Sequence, residues 1–253
     1  MAESGTEARP PLLEPDAALF LDFDGTLADF AQHPDGVTVD AELPALLAGL
    51  RARLDGAVAV VTGRTLAGLD DIAGLSPRAA AGLHGLELRF ESGHTVAPAN
   101  PQGASRVARQ LRERFAADPR VVVEDKGAAV ALHWRRAPER SEECIAALTE
   151  AAAAPEFEIL RGNAVIEARP RGTNKGAALA ALARHGSFAG RRPVFVGDDV
   201  TDEDGFRAAA RLGGYGVKVG PGETAARYRM SGVDEVHAWL AESLEALTSG
   251  AAS

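Results

Sequence analysis

The chain has 253 residues, 46% of them hydrophobic and 25% charged, with a formal net charge of -9. That length buries a full core and fits one large or two small domains, and the acidic balance argues against nucleic acid as a partner while leaving an anionic substrate open. A single cysteine, Cys144, excludes an intrachain disulfide and gives no support to a Cys-based zinc site.

Residues 1–15, rich in Pro, Glu and small polar residues, are expected to form a disordered tail. No apolar stretch is long enough to span a bilayer and the amino terminus lacks a signal-peptide core, so a soluble cytoplasmic protein with no membrane partner is expected. From Asp16 onward, short apolar strands alternate with helical stretches, the pattern of an α/β fold with a parallel sheet. Strands are expected at 17–22, 57–62, 79–83, 192–197 and 215–219, with helices at 43–54 and 174–185. The second helix is expected to stop at Gly186 as a C′ glycine. The middle of the chain reads differently. A helix at 103–118, strands at 120–124 and 128–134, a helix at 138–153 and strands at 156–160 and 164–168 give the order αββαββ. That order suits a small α+β unit with a four-stranded antiparallel sheet. It is expected at 101–169, inserted into a core formed by 16–100 and 170–253. Arg106, Arg109 and Arg112 read as a solvated helix face, since no aromatic residues interleave with them.

The most informative residues close the first strand: Asp22-Phe23-Asp24-Gly25-Thr26-Leu27. Side chains alternate along a strand, so Asp22 and Asp24 share one side. Both carboxylates then lie at the carboxyl end of a central strand, where open α/β sheets bind ligands. Like charges this close require a cation between them or a proton on one. The pair suits phosphoryl chemistry, with one carboxylate as nucleophile and the other as acid/base.

Three further segments each end a strand or open a helix. The strand 57–62 ends in Thr62-Gly63-Arg64, where a hydroxyl can donate to a phosphate oxygen and Gly63 lets backbone amides approach. A helix N-cap is its plain alternative. Lys175 opens a helix after Gly172-Thr173-Asn174, so its ammonium and the helix dipole both face an anion; the alternative is a surface lysine beside a cap. The strand 192–197 runs into Asp198-Asp199-Val200-Thr201-Asp202-Glu203-Asp204, an acidic density that calls for a cation. Mg²⁺ takes one or two carboxylates with phosphate and water. Asp22, Asp198 and the Asp24 backbone carbonyl meet that demand, with Asp198 ahead of Asp199 and Asp202 on strand-end geometry.

In this order the four motifs resemble those of the haloacid dehalogenase (HAD) superfamily of phosphohydrolases. Gly82-Leu83-His84-Gly85-Leu86-Glu87 resembles the G-x-H-G-x-E signature of its trehalose-6-phosphate phosphatases. Glu124-Asp125-Lys126 and His133-Trp134-Arg135 are similar to that family's E-x-K and H-[YW]-R segments. Val165-Ile166-Glu167-Ala168-Arg169-Pro170 resembles its return from cap to core. The resemblance spans about residues 16–240 and implies a Rossmann-like core with an inserted α+β cap.

It also implies an activity: Mg²⁺-dependent hydrolysis of trehalose 6-phosphate through an aspartyl-phosphate. Asp22 would be the nucleophile and Asp24 the acid/base. Asp22, Asp24 and Asp198 would hold the metal, and Thr62, Gly63 and Lys175 the phosphate. Asp199 and Asp202 would orient these groups from behind. Glu124, Lys126 and Glu167, with His84 and His133, would grip the sugar, although Glu124 and Lys126 also read as a surface ion pair. Trp134 reads as packing. Other readings are a phosphatase for sucrose 6-phosphate or a mannosyl phosphoglycerate, a phosphotransferase to a second sugar, and a catalytically silent domain that binds a sugar phosphate or a partner synthase. A functional link to a trehalose-phosphate synthase is the partner the family implies.

Overall fold

The computed structural model describes residues 8–29, 39–72, 75, 77–96 and 101–250. The chain divides into two compact units, Met1–Val96 with Asn174–Ser253, and Ala97–Thr173. Residues 97–100, where the first domain boundary is expected, lie outside the described residues.

In chain order the first segment carries β1 (Ala17–Leu21), α1 (Leu43–Arg53), β2 (Val58–Val61), α2 (Leu66–Asp70), β3 (Ala79–Gly82), β4 (Glu87–Arg89) and β5 (Thr95–Val96). The middle carries α3 (Pro101–Arg114), β6 (Val122–Asp125), β7 (Val130–His133), α4 (Ser141–Ala151), β8 (Phe157–Gly162) and β9 (Val165–Pro170). The return carries α5 (Lys175–Leu182), β10 (Arg192–Gly197), α6 (Glu203–Arg211), β11 (Tyr215–Val219), β12 (Tyr228–Met230) and α7 (Val233–Gly250).

In the first unit, β1 reads AALFL and every residue is buried, as in a strand covered on both faces. The sheet has eight strands in the order β12-β11-β10-β1-β2-β3-β4-β5, parallel from β12 to β3 and closed by an antiparallel hairpin. From β1 the chain winds outward through β2 and β3, then returns beside β1 as β10 and winds the other way. Such a reversal of strand order opens a crevice at the strands' carboxyl ends. The reversal lies between β1 and β10, where Leu21 is in register with Val196. It sets the end of β1 next to the end of β10.

The second unit is the expected antiparallel sheet, in the order β6-β7-β9-β8. Val107, Leu111 and Phe115, on one stripe of α3 and its C-terminal extension, are buried with Leu132, Trp134, Leu148 and Ile166. Trp134 is therefore packing, and Arg106, Arg109 and Arg112 are exposed on the opposite face of α3.

Three expectations differ from the structure. Residues 1–7 lie outside the described residues, but 8–15 are not a disordered tail. Leu13 is buried in the core, its N–H donates to Ser243 Oγ at 3.2 Å, and the Trp239 indole donates to the Pro11 carbonyl at 3.0 Å. One anchoring leucine and two backbone groups satisfied by α7 outweigh the polar composition. Gly186 is not a C′ glycine, because α5 ends at Leu182 with Ala183 as its cap. The strand at 79–83 stops at Gly82, because Leu83 and His84 take left-handed backbone (φ +48° and +56°).

Candidate active site

The site is assembled at the carboxyl ends of β1, β2 and β10. Asp22 follows β1 and is held in line with β10 by its N–H, which donates to the Val196 carbonyl at 2.9 Å. Lys175 is the first residue of α5, whose cap is Asn174, accepting from the Ala177 N–H at 2.8 Å. The cap fixes where the helix begins, and so where the lysine points. Its Nζ lies 2.7 Å from Asp22 Oδ1 and 2.7 Å from Asp202 Oδ1, with all three side chains buried. Asp202 Oδ2 accepts from the Asp199 N–H at 2.9 Å, and Asp199 Oδ1 accepts from the Val200 N–H at 2.7 Å. A capping box between Asp199 and Asp202 shapes the turn after β10. Both oxygens of Asp202 are thereby engaged.

Asp198 differs. Its Oδ1 is buried without a hydrogen-bond partner. One oxygen each from Asp22, Asp198 and Asp202 lie within 4.8 Å of one another. An orphaned buried oxygen among hard oxygen donors fits Mg²⁺.

Asp24 has a partner the sequence reading does not assign. Arg64 grips it with two bonds, Nε to Oδ2 at 2.8 Å and Nη2 to Oδ1 at 2.6 Å, and its guanidinium lies over the Phe23 ring. Bidentate pairing of this kind fixes the plane of a carboxylate. The signal was present as the third residue of Thr62-Gly63-Arg64. Thr62 is buried, and its Oγ1 accepts from the Arg64 N–H at 3.1 Å, so its own proton is left to donate elsewhere. Gly63 leaves room for the His84 ring, which a Cβ there would approach to 2.8 Å and displace. Glu87 Oε2 accepts from the Leu66 N–H at 2.7 Å, tying the G-x-H-G-x-E segment to α2.

Asp22, Asp24, Gly63, His84, Lys175, Asp199 and Thr201 line one cavity of about 130 Å³. A larger cavity of about 430 Å³, lined by Phe90, His94 and Phe188, includes Ala79 at the opposite end of β3 and none of these groups.

The second unit collects the remaining expected residues on one sheet face. Glu124 pairs across the strands with Ala131, and Ala131 with Glu167. Lys126 Nζ lies 2.7 Å from Glu167 Oε2 and 3.9 Å from Glu124 Oε2, while His133 Nε2 lies 2.9 Å from Glu124 Oε2. The closer partner of Lys126 is Glu167, not Glu124. The His133 hydrogen bond, with help from Lys126, holds Glu124 below its ordinary pKa against the effect of desolvation. His84 is not part of this face; it belongs to the first unit.

Burial pushes the pKa of Asp22 well above the ordinary carboxylate range, with Asp202 adding to the rise and Lys175 opposing it. Burial likewise raises Asp198 and Asp202. For Lys175 burial disfavours the charge, but Asp22 and Asp202 outweigh it and hold its pKa above the usual value. Carboxyls with raised native pKa values bind more protons folded than unfolded, so stability falls as pH rises from about 4 through the raised values. The Lys175 contribution is kept throughout, because it is lost only above the ordinary lysine range. The metal-free protein should therefore lose stability on going from pH 5 to pH 8. A bound divalent cation discharges the carboxylates, so the rise in Tm on adding Mg²⁺ should be larger at pH 8 than at pH 5. Thermal unfolding in EDTA and in Mg²⁺ at the two pH values checks this.

The trehalose-phosphatase family profile matches residues 20–234. Trehalose-6-phosphate phosphatase of Escherichia coli K12 is 41% identical over 243 residues, covering 95% of this chain and 90% of that protein. A probable trehalose-phosphate phosphatase of Sinorhizobium fredii is 45% identical over 207 residues, covering 81% and 78%. A crystal structure of a trehalose-6-phosphate phosphatase related protein superposes with a TM-score of 0.73 at 26% identity, covering 92% of this chain and 99% of that one. The chain belongs to the trehalose-phosphatase family, phosphoric monoester hydrolases of the haloacid dehalogenase superfamily.

Proposed function

We propose that the protein hydrolyses trehalose 6-phosphate to trehalose and phosphate in a Mg²⁺-dependent reaction. The observation that carries this reading is Asp22, buried 2.7 Å from Lys175 in a cavity that also admits Asp24. An Asp22 oxygen attacks phosphorus, the bond to the sugar oxygen breaks, and Asp24 gives that oxygen a proton. Asp24 then takes a proton from water, whose oxygen attacks the aspartyl-phosphate and frees phosphate and Asp22. Arg64 orients Asp24 through one oxygen, and its second bond opens so that the other oxygen can carry the proton. Lys175, the Thr62 hydroxyl and the backbone amide at Gly63 offset charge on the phosphoryl oxygens. Asp202 positions Lys175, and Asp199 positions Asp202. Asp22, Asp198 and the Asp24 carbonyl would hold Mg²⁺, which when bound draws further negative charge off those oxygens.

A cavity of about 130 Å³ is small beside the roughly 300–1,000 Å³ that enclose a whole small-molecule ligand. It accommodates the phosphoryl group and leaves the disaccharide to be held by other residues. Glu124, Lys126, Glu167 and His133 supply alternating acceptors and donors on one face, which matches the hydroxyls of a sugar. Lys126→Ala and Glu167→Gln should each raise the KM for trehalose 6-phosphate by about tenfold, as expected for losing a charge-assisted hydrogen bond. Turnover of glucose 6-phosphate, which lacks the second sugar ring, should stay as it was. A KM for trehalose 6-phosphate that does not move would remove these residues from substrate recognition.

A further inference from the structure

Lys218 lies in β11, and its side chain is buried with 6% of its surface exposed. Placing an ammonium there costs several kcal/mol unless its protons are fully engaged. Among the described residues it forms no ion pair with a carboxylate; its partners are two backbone carbonyls, that of Asp198 in a very close contact and that of Val219 at 2.8 Å. The parallel ladder between β10 and β11 ends at Gly197 opposite Lys218. The residue just after β10 is Asp198, whose Oδ1 is the buried oxygen without a partner. The sheet stops holding the chain one residue before a carboxylate that must be aimed, and the Lys218 ammonium takes over at that carbonyl.

We infer that Lys218 is a positioning residue for the cation site: its ammonium fixes the Asp198 carbonyl and thereby aims the Asp198 carboxylate at the space it shares with Asp22 and Asp202. This rests on the Mg²⁺ reading above. Outer groups that orient a metal ligand typically change affinity by about 10–100-fold when removed. Plain electrostatics predicts the opposite sign, because a nearby positive charge repels Mg²⁺ and its removal would tighten binding.

The test is calorimetric titration of the full chain with Mg²⁺, without substrate, on the unsubstituted protein, Lys218→Met and Lys218→Gln. Met keeps the length and loses both charge and donors; Gln keeps a neutral donor and is the variant better able to fold. The Kd for Mg²⁺ should rise at least about tenfold in Lys218→Met, with Lys218→Gln in between. An unchanged or lower Kd in whichever variant is folded by circular dichroism overturns the inference. Absence of Mg²⁺ uptake by the unsubstituted protein overturns the cation reading itself, and the role of Lys218 with it.

Discussion

Asp22→Asn should lower turnover of trehalose 6-phosphate by at least about 10⁴-fold while the protein stays folded, the scale seen when an enzyme loses its nucleophile. An amide in place of the carboxylate cannot form the covalent intermediate. The fold survives because the change is isosteric and relieves a charge that burial already disfavours. Lys175 keeps its second partner, Asp202, at 2.7 Å. In EDTA at pH 8 the variant should therefore unfold at a temperature no lower than the unsubstituted protein. Phosphate release and thermal unfolding on the same preparation separate the two effects. Turnover within tenfold of the original would place the nucleophile elsewhere.

Lys175→Met should give the largest loss of stability. The substitution keeps most of the side-chain volume and removes the cation between Asp22 and Asp202, leaving two buried carboxylates facing one another. Removing one partner of a buried ion pair costs about 3–5 kcal/mol. At about 2–4 °C per kcal/mol for a domain of this size, Tm in EDTA should fall by roughly 6–20 °C. Mg²⁺ should restore part of the loss, since a cation that binds only the folded state stabilises it by mass action. Activity should fall by about 10²–10³-fold even in Mg²⁺, because a fixed donor to the phosphoryl oxygens is gone. A Tm in EDTA equal to that of the unsubstituted protein would show that the Lys175 cluster carries no net stabilisation.

The core strands were legible because they are short, uniformly apolar and end in turn residues. The residues 192–197 and 215–219 read from the sequence are the ones in β10 and β11. The αββαββ order of the second unit was legible for the same reason: β-period strands alternate with helical stripes. The hairpin of β4 and β5 was not seen, because strands of three and two residues carry too little alternation to stand out. The strap at residues 8–15 was missed because its order comes from contacts with α7, more than two hundred residues away in sequence.

At the site, Asp22, Asp198 and Lys175 were legible from their positions at strand and helix ends. Partner choice was not. Nothing local to Arg64 says that it grips Asp24, and nothing local to Lys218 says that it binds the Asp198 carbonyl. Both contacts follow from strand order, which sets β2 and β10 on either side of β1 and β11 beside β10.

The most direct measurement is phosphate release from trehalose 6-phosphate, sucrose 6-phosphate and glucose 6-phosphate, in Mg²⁺ and in EDTA, with Asp22→Asn as the blank. Preferential release from trehalose 6-phosphate, abolished by EDTA and absent in the blank, is the predicted result. No release from folded protein saturated with Mg²⁺ would contradict the proposed activity, and equal release from all three sugars would contradict the role given to Glu124, Lys126 and Glu167.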